Sequence, residues 1–414
     1  MIIRKVYIPI FSDAIQSKVF SADGCNPGVG GTQFTSIRLS LLLAKASPEW
    51  EIVLVNNAPF LLDCCPENLR IAIFENSSSF FNSLNLSEEF VVISVASVLK
   101  RSDVKALQKI ARRIIFWSRH PFDKSLRSLS SRIEFKNIVC VGTYQFYSNQ
   151  AISHHVKHIQ NIFVLPNLAS EISFLPVNQS RLEVVYLGAL IPGKCFLEVA
   201  RAWNFLKERF PEMTLHVIGS VATYGLKVNS DLIPTSPDFA KRILEYIPKQ
   251  DIDDGKVVFH GNLGKEKFDI LRKSHLAILN PKGYTEAFPA SPLECMAFGT
   301  PVIASGDYGM SDCMRFFPEL IVDGHKKIPE KVEWLVSEPL RYRELQQRSM
   351  AVAQWFDAQT DLTITRWIRL IDAVFHEASH EIHMVPFMHF YGSRIRLLYR
   401  QHILPLLTTI KSSF

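Results

Sequence analysis

The sequence predicts an α/β protein with two parallel-sheet domains that face each other across a cleft. Three observations support this fold class. Short apolar runs rich in Val and Ile alternate with segments of helical periodicity along most of the 414 residues. The alternation is long enough for two sheets, and a polar stretch at residues 171–181 separates the two halves as a linker. Loops at the carboxyl edges of parallel strands then meet in the cleft.

The first half contains seven predicted strands and two clear helices. Amphipathic patterns at residues 32–46 and 103–113 predict the helices. The strands are the runs KVYIPI, EIVLV, RIAIF, FVVISV, RIIFW, NIVCVG and IFVLP.

The second half repeats the alternation and ends in helices. Its predicted strands are EVVYLGA, TLHVIG, KVVFHG, LAILN, TPVIAS and ELIV. Helices are predicted at residues 195–209, 239–246, 266–274, 330–356 and 361 to about 379. We therefore expect domains at residues 1–175 and 176–360, followed by a C-terminal helix and basic tail at residues 361–414.

Composition is that of an ordinary globular protein, with 47% hydrophobic and 21% charged residues. The longest apolar run, FVVISVASVL, is far shorter than the roughly 18–20 residues that a membrane span needs. The first residues do not have the pattern of a secretory signal. The seven cysteines are odd in number and lack CxxC spacing, which favours neither a disulfide framework nor a zinc ribbon. We therefore expect a cytoplasmic location.

Positive charge is concentrated in one segment. Residues 100–136 hold eleven Lys or Arg residues against three acidic ones, whereas the whole chain has a net charge of only +6. Such a patch predicts an anionic partner. Phosphates and acidic lipid headgroups are favoured over nucleic acid.

Three loops at predicted strand ends carry candidate binding residues. NPGVGGTQ places Gly30 and Gly31 before the first long helix, where backbone N–H groups can approach an anion. YLGALIPGKC places Lys194 at a carboxyl edge, and WSRHP places Arg119 and His120 at another. A glycine-rich turn, a solvated lysine and a surface histidine are the alternatives for these loops.

The stretch EAFPASPLECMAFGTPVIAS contains two charged side chains, Glu286 and Glu294. Ser291-Pro292-Leu293-Glu294 predicts a helix start, with Ser291 as N-cap and Glu294 as the second half of a capping box. That interpretation leaves Glu286 unexplained, since it precedes the helix in a loop.

No metal site is predicted. The Asp251–Asp253 sequence DID has the form of a metal-binding motif, but KQDIDDGK favours a polar turn. Two histidine groups have helical spacing, but neither has an accompanying catalytic acid in a recognisable motif (154, 155 and 158; 376, 380 and 383).

These features together resemble glycosyltransferase family 4. The resemblance includes the glycine-rich loop, the strand-end histidine, LPN at 165–167, YLGAL with the following GK, and the E-x7-E pair, which is its most specific element. It covers residues 6 to about 375. It implies an α/β fold of GT-B type, with two Rossmann-like parallel-sheet domains facing across a cleft and the last helices crossing back to the first domain.

The resemblance also implies a role for each candidate residue. Glu286 would face hydroxyls of the donor sugar, within the loop that includes Ala287 and Phe288. Glu294 would accept hydrogen bonds from the ribose hydroxyls of the nucleotide. Lys194 would neutralise the diphosphate, assisted by the helix that begins near Ser291. Gly30 and Gly31 would approach the diphosphate or acceptor, and His120 would bind the transferred sugar. Neither a metal nor another cofactor is implied.

The sequence departs from the family pattern at three places. Ala189 stands where the family usually has an arginine, and Arg119 is a candidate substitute. Ala287 and Pro289 replace a glycine-rich sequence, which predicts a narrower sugar pocket. Asp312 stands where a glutamate is common.

The predicted function is retaining transfer of a sugar from a nucleotide-diphosphate donor to a hydroxyl acceptor, in polysaccharide or lipid-linked glycan assembly. Expected partners are the nucleotide sugar, a glycan or lipid-linked acceptor and, through the basic segment, an anionic membrane surface. Alternatives are a non-catalytic nucleotide- or glycan-binding partner of another transferase, and an epimerase or phosphorylase of the same fold.

Overall fold

The computed structural model of the chain describes residues 3–16, 18–21, 24–120, 129, 132–150, 155–166, 174–177, 181–224, 228 and 232–376. Some sequence predictions fall outside these residues. They concern Asn167 of LPN, most of the 171–181 linker, the tail beyond residue 376, and three histidines (154, 380 and 383). The domain boundaries stay predictions.

Two parallel sheets form the centre of the described structure. The first contains seven strands in the order β5-β3-β1-β6-β7-β8-β9, and β2 and β4 form a separate parallel pair. Their bounds are β1 Arg4–Pro9, β2 Val19–Phe20, β3 Trp50–Asn56, β4 Leu61–Leu62, β5 Leu69–Ile73, β6 Phe90–Val95, β7 Ile114–Ser118, β8 Asn137–Cys140 and β9 Val156–His158. Every residue of β6 is buried, as expected for a central strand covered on both faces.

The second sheet has five strands in the described residues, in the order β12-β11-β10-β13-β14, and its strand pairs are also parallel. The strands are β10 Glu183–Leu187, β11 Thr214–Ile218, β12 Val257–Gly261, β13 Leu276–Leu279 and β14 Val302–Ala304. The predicted α/β fold class with two parallel sheets is therefore confirmed.

Helices cover the faces of these sheets. Those in the described residues of the first half are α1 Gly31–Ala46, α2 Ser77–Ser83, α3 Val104–Lys109 and α4 Thr143–Gln150. Those of the second half are α5 Phe196–Arg209, α6 Pro237–Leu244, α7 Lys249–Asp253, α8 Lys267–Lys273, α9 Ser291–Met296, α10 Ser311–Met314, α11 Ile328–Val336, α12 Pro339–Ala358 and α13 Thr360–Phe375.

The last helix, α13, lies against the first sheet. Trp367 packs edge-on against Trp117 of β7, with ring centroids 5.2 Å apart, and both indoles are buried. Phe375 contacts Trp50 of β3 at 5.9 Å. These aromatic contacts connect α13 to the first domain.

Strand order places the loops that form the cleft. In the first sheet, connections run to one side from β1 and then restart at β6, its other neighbour. The second sheet has the same arrangement at β10 and β13. Loops that leave such neighbouring strands in opposite directions open a crevice at the carboxyl edge, which is where ligands bind in this class of sheet.

Two predicted strands are absent from the described sheets. IFVLP is not paired in a sheet, because its backbone bonds to the last helices: Leu165 N donates to Asp357 Oδ1 at 2.8 Å, and Phe163 O accepts from Thr360 Oγ1 at 2.7 Å. The edge strand is β9, with a sequence that is less apolar. ELIV is not a strand, because its first two residues belong to a 3-10 turn at Pro318–Leu320, and Ile321 forms one isolated bridge to Ala304.

Two predictions about helices were also wrong. The predicted helix at 330–356 is two helices, α11 and α12, and α12 begins at Pro339, which lacks the N–H that a continuous helix needs. Asp251 lies in a helix rather than in a polar turn. Its carboxylate accepts from Trp203 Nε1 at 2.6 Å and pairs with Lys207 at 2.8 Å, which ties α7 to α5.

Candidate active site

A cavity of about 510 Å³ lies between the two domains at the carboxyl edges of both sheets. Loops that leave β1 and β6 of the first sheet and β10 and β13 of the second contribute to its lining. Every predicted site residue is among the lining residues. The lining segments lie at 24–38, 95–97, 119–120, 141 and 161–166 in the first half, and at 186–194, 218–223, 262–268, 279–294 and 310 in the second.

Glu286 is a buried carboxylate, only 8% exposed, in the loop after β13. Its Oε1 accepts from Lys194 Nζ at 2.7 Å and from Asn280 Nδ2 at 3.2 Å. Lys194 is held on the facing loop by its own backbone, whose carbonyl accepts from Tyr186 OH at 2.9 Å. Within the described residues, Oε2 of Glu286 accepts no hydrogen bond, so this oxygen is available to a ligand.

Glu294 has a different lysine as its partner. Its Oε2 lies 2.7 Å from Nζ of Lys267 in α8, and the side chains are 16% and 6% exposed, respectively. The predicted capping box is wrong: Ser291 is the first residue of α9 rather than its N-cap, and no side chain caps this helix. The ion pair to Lys267 takes the carboxylate away from the helix N-terminus.

The glycine-rich loop ends at the start of α1. Asn26 Oδ1 accepts from the N–H groups of Gly28 and Val29 at 3.0 and 2.9 Å, and Gly28 has a φ of +89°. Gly30 caps α1, and a Cβ placed on Gly31 would meet nothing within 4 Å. The start of α1 therefore presents backbone to open space in the cavity.

Arg119 and His120 follow β7. The Arg119 guanidinium donates to Asn161 Oδ1 at 2.7 Å and to Thr35 Oγ1 at 3.3 Å. It also lies 4.7 Å from the Trp117 ring centroid. Burial lowers the pKa of Arg119 to about 9, which still leaves it charged at neutral pH. His120 is exposed, and its carbonyl accepts from Gln145 Nε2 at 2.7 Å.

Ala287 and Phe288 connect the two glutamates and are buried. Phe288 packs edge-on against Phe356 of α12 at 5.5 Å. A Cβ on Gly142, in the first domain, would lie 2.0 Å from the Ala287 carbonyl oxygen. Only a glycine at this position permits the two domains to approach so closely beside the glutamate loop.

Sequence reasoning missed several residues that shape the cavity. Asn280, which supports Glu286, ends a predicted strand, so the carboxyl-edge argument could have found it. Asn161 and Thr35, which hold Arg119, have no local pattern that marks them. Lys267 lies on a helix 27 residues from its partner, and only the folded structure brings them together.

The arrangement suits a ligand that has both anionic and hydroxyl groups. The cavity lining contains four Lys or Arg residues and two carboxylates. Ala189 is buried at the predicted arginine position, so the loop after β10 contributes Lys194 as its cation. The Glu286 carboxylate, with one oxygen available, can accept hydrogen bonds from hydroxyl groups. Backbone amides of glycine and the lysine ammonium group can bind phosphate oxygens.

Two further observations concern the described residues alone. They contain no group of three or more His, Cys, Asp or Glu side chains arranged to hold a metal ion. Their helices are also too short or too polar to cross a bilayer.

Comparison with known proteins identifies the fold. Residues 170–351 match the family model of glycosyl transferases group 1, and no curated protein matches the chain. Sucrose-phosphate synthase from Thermosynechococcus elongatus superposes with a TM-score of 0.65 at 14% identity, covering 91% of this chain and 100% of that one. HepE of Anabaena, in complex with UDP, gives 0.61 at 14% identity, covering 90% and 100%. A glycosyltransferase from Rickettsia africae gives 0.60 at 11% identity, covering 91% and 100%.

At these identities the structural likeness establishes the fold, which is that of GT-B glycosyltransferases, with two Rossmann-like domains. The family model covers the second domain, including both glutamates and Lys194. Fold and family model together support a glycosyltransferase.

Proposed function

We propose that the chain is a retaining glycosyltransferase of family 4, which transfers a sugar from a nucleotide-diphosphate donor to a hydroxyl acceptor. The observation that carries the proposal is the pair of motif glutamates, each held by its own lysine on the second-domain wall of the cavity, beside the glycine-rich loop. That HepE was solved with UDP supports a nucleotide as part of the donor.

In this proposal, the Lys194–Glu286 ion pair occupies the site when no donor is bound, and each of the two side chains binds a different part of the donor. When the donor enters, a phosphate oxygen replaces the carboxylate as the partner of Lys194. Glu286 then turns its acceptor oxygens to hydroxyls of the sugar. One ion pair is exchanged for another inside the cavity, so neither charge is left buried without a partner.

Glu294 binds the ribose hydroxyls, and the ion pair with Lys267 holds its carboxylate in position. Amides of the glycine-rich loop, the start of α9 near Ser291 and Lys194 stabilise the diphosphate as it leaves. His120 hydrogen-bonds the transferred sugar from the first domain. The site needs no metal or other cofactor, because fixed cations and amides carry the leaving-group charge.

The transfer step takes place on one face of the sugar. The bond from the anomeric carbon to the diphosphate oxygen breaks, and a bond to the acceptor oxygen forms on the same face. The acceptor hydroxyl proton passes to the departing phosphate oxygen, so atoms and charge balance. The acceptor belongs to polysaccharide or lipid-linked glycan assembly, and the basic surface of the first domain brings the enzyme to an anionic membrane.

The direct test is donor binding followed by turnover. We expect UDP, GDP or ADP to bind in calorimetry and one matching nucleotide sugar to be consumed, with the anomeric configuration of the product retained by NMR. Ligand at 100 times its dissociation constant stabilises a protein by about 2.7 kcal/mol, which makes a thermal-shift screen a suitable first step. Absence of binding for every nucleotide would remove the proposal.

Ala189 favours one second candidate, a non-catalytic nucleotide-binding partner of another transferase. With one cation fewer after β10, the leaving diphosphate is less stabilised than in the family pattern. This candidate predicts nucleotide-sugar binding without consumption. Restoring the cation as Ala189→Arg would then produce donor hydrolysis, whereas an active wild-type enzyme excludes this candidate directly.

A further inference from the structure

Arg119 differs from the other cations of the cavity whose contacts are described above. Lys194 and Lys267 each face a glutamate at 2.7 Å on the second-domain wall. In the described part of the chain, Arg119 forms no salt bridge: its hydrogen-bond acceptors are an amide and a hydroxyl oxygen, and its stacking partner is an indole. Within the described residues, its positive charge therefore has no carboxylate as a partner.

Its guanidinium is also held in a fixed position. Asn161 and Thr35, which accept its hydrogen bonds, are themselves only 4% and 6% exposed, and Trp117 beneath it is 1% exposed. Arg119 itself is half-buried, and a partly desolvated cation with neutral partners is costly unless a ligand supplies its counter-ion. A planar guanidinium that is fixed in this way is suited to bidentate binding of phosphate or carboxylate.

The position of Arg119 assigns it to the first-domain wall. It follows β7, beside His120, whereas both glutamates and their lysines lie on the second-domain wall. The glutamates and lysines there are the groups that the proposed function uses to bind the donor. The charge of Arg119 is left for the other substrate.

We propose, on the basis of the proposed function, that Arg119 binds an anionic group of the acceptor and that the acceptor is therefore a phosphorylated or carboxylated hydroxyl compound. The anion pairs with the two guanidinium nitrogens that now contact Asn161 and Thr35, and one of the acceptor hydroxyls reaches the donor sugar.

The test separates the donor side from the acceptor side. Nucleotide affinity is first measured by calorimetry for the wild type, Arg119→Gln and Lys194→Gln. We expect Arg119→Gln to bind the nucleotide within about twofold of the wild type, and Lys194→Gln to bind it at least tenfold more weakly. With the nucleotide saturating, inorganic phosphate, glycerol 3-phosphate and malate are then titrated. The wild type should bind at least one of them, and Arg119→Gln should bind it at least tenfold more weakly.

Two controls test the interpretation. Arg242→Gln removes the same charge from an exposed position of the second domain and should bind the anion as the wild type does. Arg119→Lys keeps the charge but loses the planar fork, so its affinity should lie between those of the wild type and the glutamine variant.

Each failure has a distinct meaning. If no nucleotide binds, the proposed function fails. If the nucleotide binds but none of the three anions does, or if Arg119→Gln leaves anion binding unchanged, the anionic acceptor is wrong. If Arg119→Gln weakens nucleotide binding as much as Lys194→Gln does, Arg119 serves the donor diphosphate instead.

Discussion

Glu286 and Glu294 share a motif but have different surroundings, and these surroundings separate their roles. Glu286 is bonded to a lysine and an amide on loops, whereas Glu294 is bonded to a nearly buried lysine of helix α8. The first pair can exchange partners when a ligand enters. The second is a fixed part of the second domain. Substitutions at the two glutamates should therefore have different consequences.

Glu286→Gln should abolish most transfer and leave nucleotide binding within a fewfold of the wild type. The amide fills the same space, but its NH2 group presents a donor where the carboxylate accepted, so it no longer matches the sugar hydroxyls. Initial rates and nucleotide calorimetry on the same preparation check this. Wild-type turnover in the variant would show that Glu286 has no role in the reaction.

Glu294→Ala should weaken nucleotide binding and also lower the free energy of unfolding, by up to about 3 kcal/mol, because Lys267 loses its partner in a largely buried place. The double variant Glu294→Ala/Lys267→Met should recover stability without recovering nucleotide affinity. Urea unfolding and calorimetry on both variants separate these effects. Equal loss of stability in the single and double variants would contradict the role given to the ion pair.

Transfer should persist in excess EDTA. Lys194 and the amides at the starts of α1 and α9 bind the diphosphate in the proposed mechanism, so a divalent cation is not needed to stabilise its charge. The measurement is the initial rate with and without chelator, followed by added magnesium or manganese. Loss of activity on chelation that either metal restores would contradict the proposal.

At the residue scale, the sequence predicted those residues whose type and position in the motif are informative by themselves. The glutamate spacing, the strand-end lysine and the glycine loop all lie along one cavity. The partners of these residues could not be predicted in the same way. Lys267 competes successfully with the helix N-terminus for Glu294, and nothing local to Ser291 or Glu294 indicates this competitor.

At the scale of elements, helix α10 of the second domain contacts the start of α4 in the first. Asp312 Oδ2 accepts from the backbone N–H of Thr143 at 2.9 Å, and the rings of Tyr144 and Tyr308 lie 5.3 Å apart beside it. Asp312 is 4% exposed. This contact adjoins Gly142 and Ala287, so it fixes one domain against the glutamate loop of the other.

Asp312 should make stability depend on pH. Burial raises its pKa from 3.8 to about 6, although hydrogen bonds from Thr143 and the charge of Arg315 act in the opposite direction. The folded protein thus binds the proton more tightly than the unfolded chain, and the Asp312 contribution to stability falls as pH rises from about 4 to about 6.

Asp312→Asn removes this dependence while keeping an oxygen that accepts from Thr143. It should match the wild type near pH 4 and exceed its free energy of unfolding at pH 7 by up to about 3 kcal/mol, at about 1.4 kcal/mol per unit of pKa shift. Denaturant titrations across this pH range give the difference. If Asp312→Asn is less stable than the wild type at pH 7, the ionised carboxylate stabilises the contact between α10 and α4.

Element predictions succeeded where burial on both faces produces continuous apolar runs. FVVISV coincides with β6, which is buried throughout. Edge elements have no such constraint, so the short strand β9 was missed. IFVLP was assigned to the sheet although helices α12 and α13 take its hydrogen bonds. The helix predicted at residues 103–113 was also too long, since α3 ends at Lys109 and Ala111–Arg113 form a 3-10 turn.

At the scale of the whole molecule, the site lies where the carboxyl edges of the two sheets face each other. Neither half supplies both the glutamate loop and the glycine-rich loop. Alternation of strands and helices predicts each sheet, but not the packing of α13 on the first sheet. That packing depends on Trp117 and Trp367, which lie 250 residues apart and meet at 5.2 Å.

The same view shows where the charge of the first domain lies. Five basic side chains are exposed on and around α3. Asp103, the acidic residue within residues 100–113, is buried with its carboxylate bonded to Ser78 and Ser102. Arg113 is directed elsewhere, to the carbonyls of Glu88 and Leu86. The exposed residues are Lys100, Arg101, Lys105, Lys109 and Arg112. Each of these residues taken alone could be an ordinary solvated charge on a helix that covers a sheet. That interpretation does not explain why five of them lie in one part of the surface.

We therefore expect the protein to sediment with anionic vesicles at low salt and not with zwitterionic ones. Each basic side chain near such a surface contributes about 1 kcal/mol, and salt screens the attraction, so release should follow rising ionic strength. Replacing Lys105, Lys109 and Arg112 by Gln should abolish sedimentation. The matched control replaces Lys241, Arg242 and Lys249, exposed basic residues of the second domain, and should bind as the wild type does. Equal binding to both vesicle types, or equal loss in both triple variants, would leave these charges with a role in solubility alone.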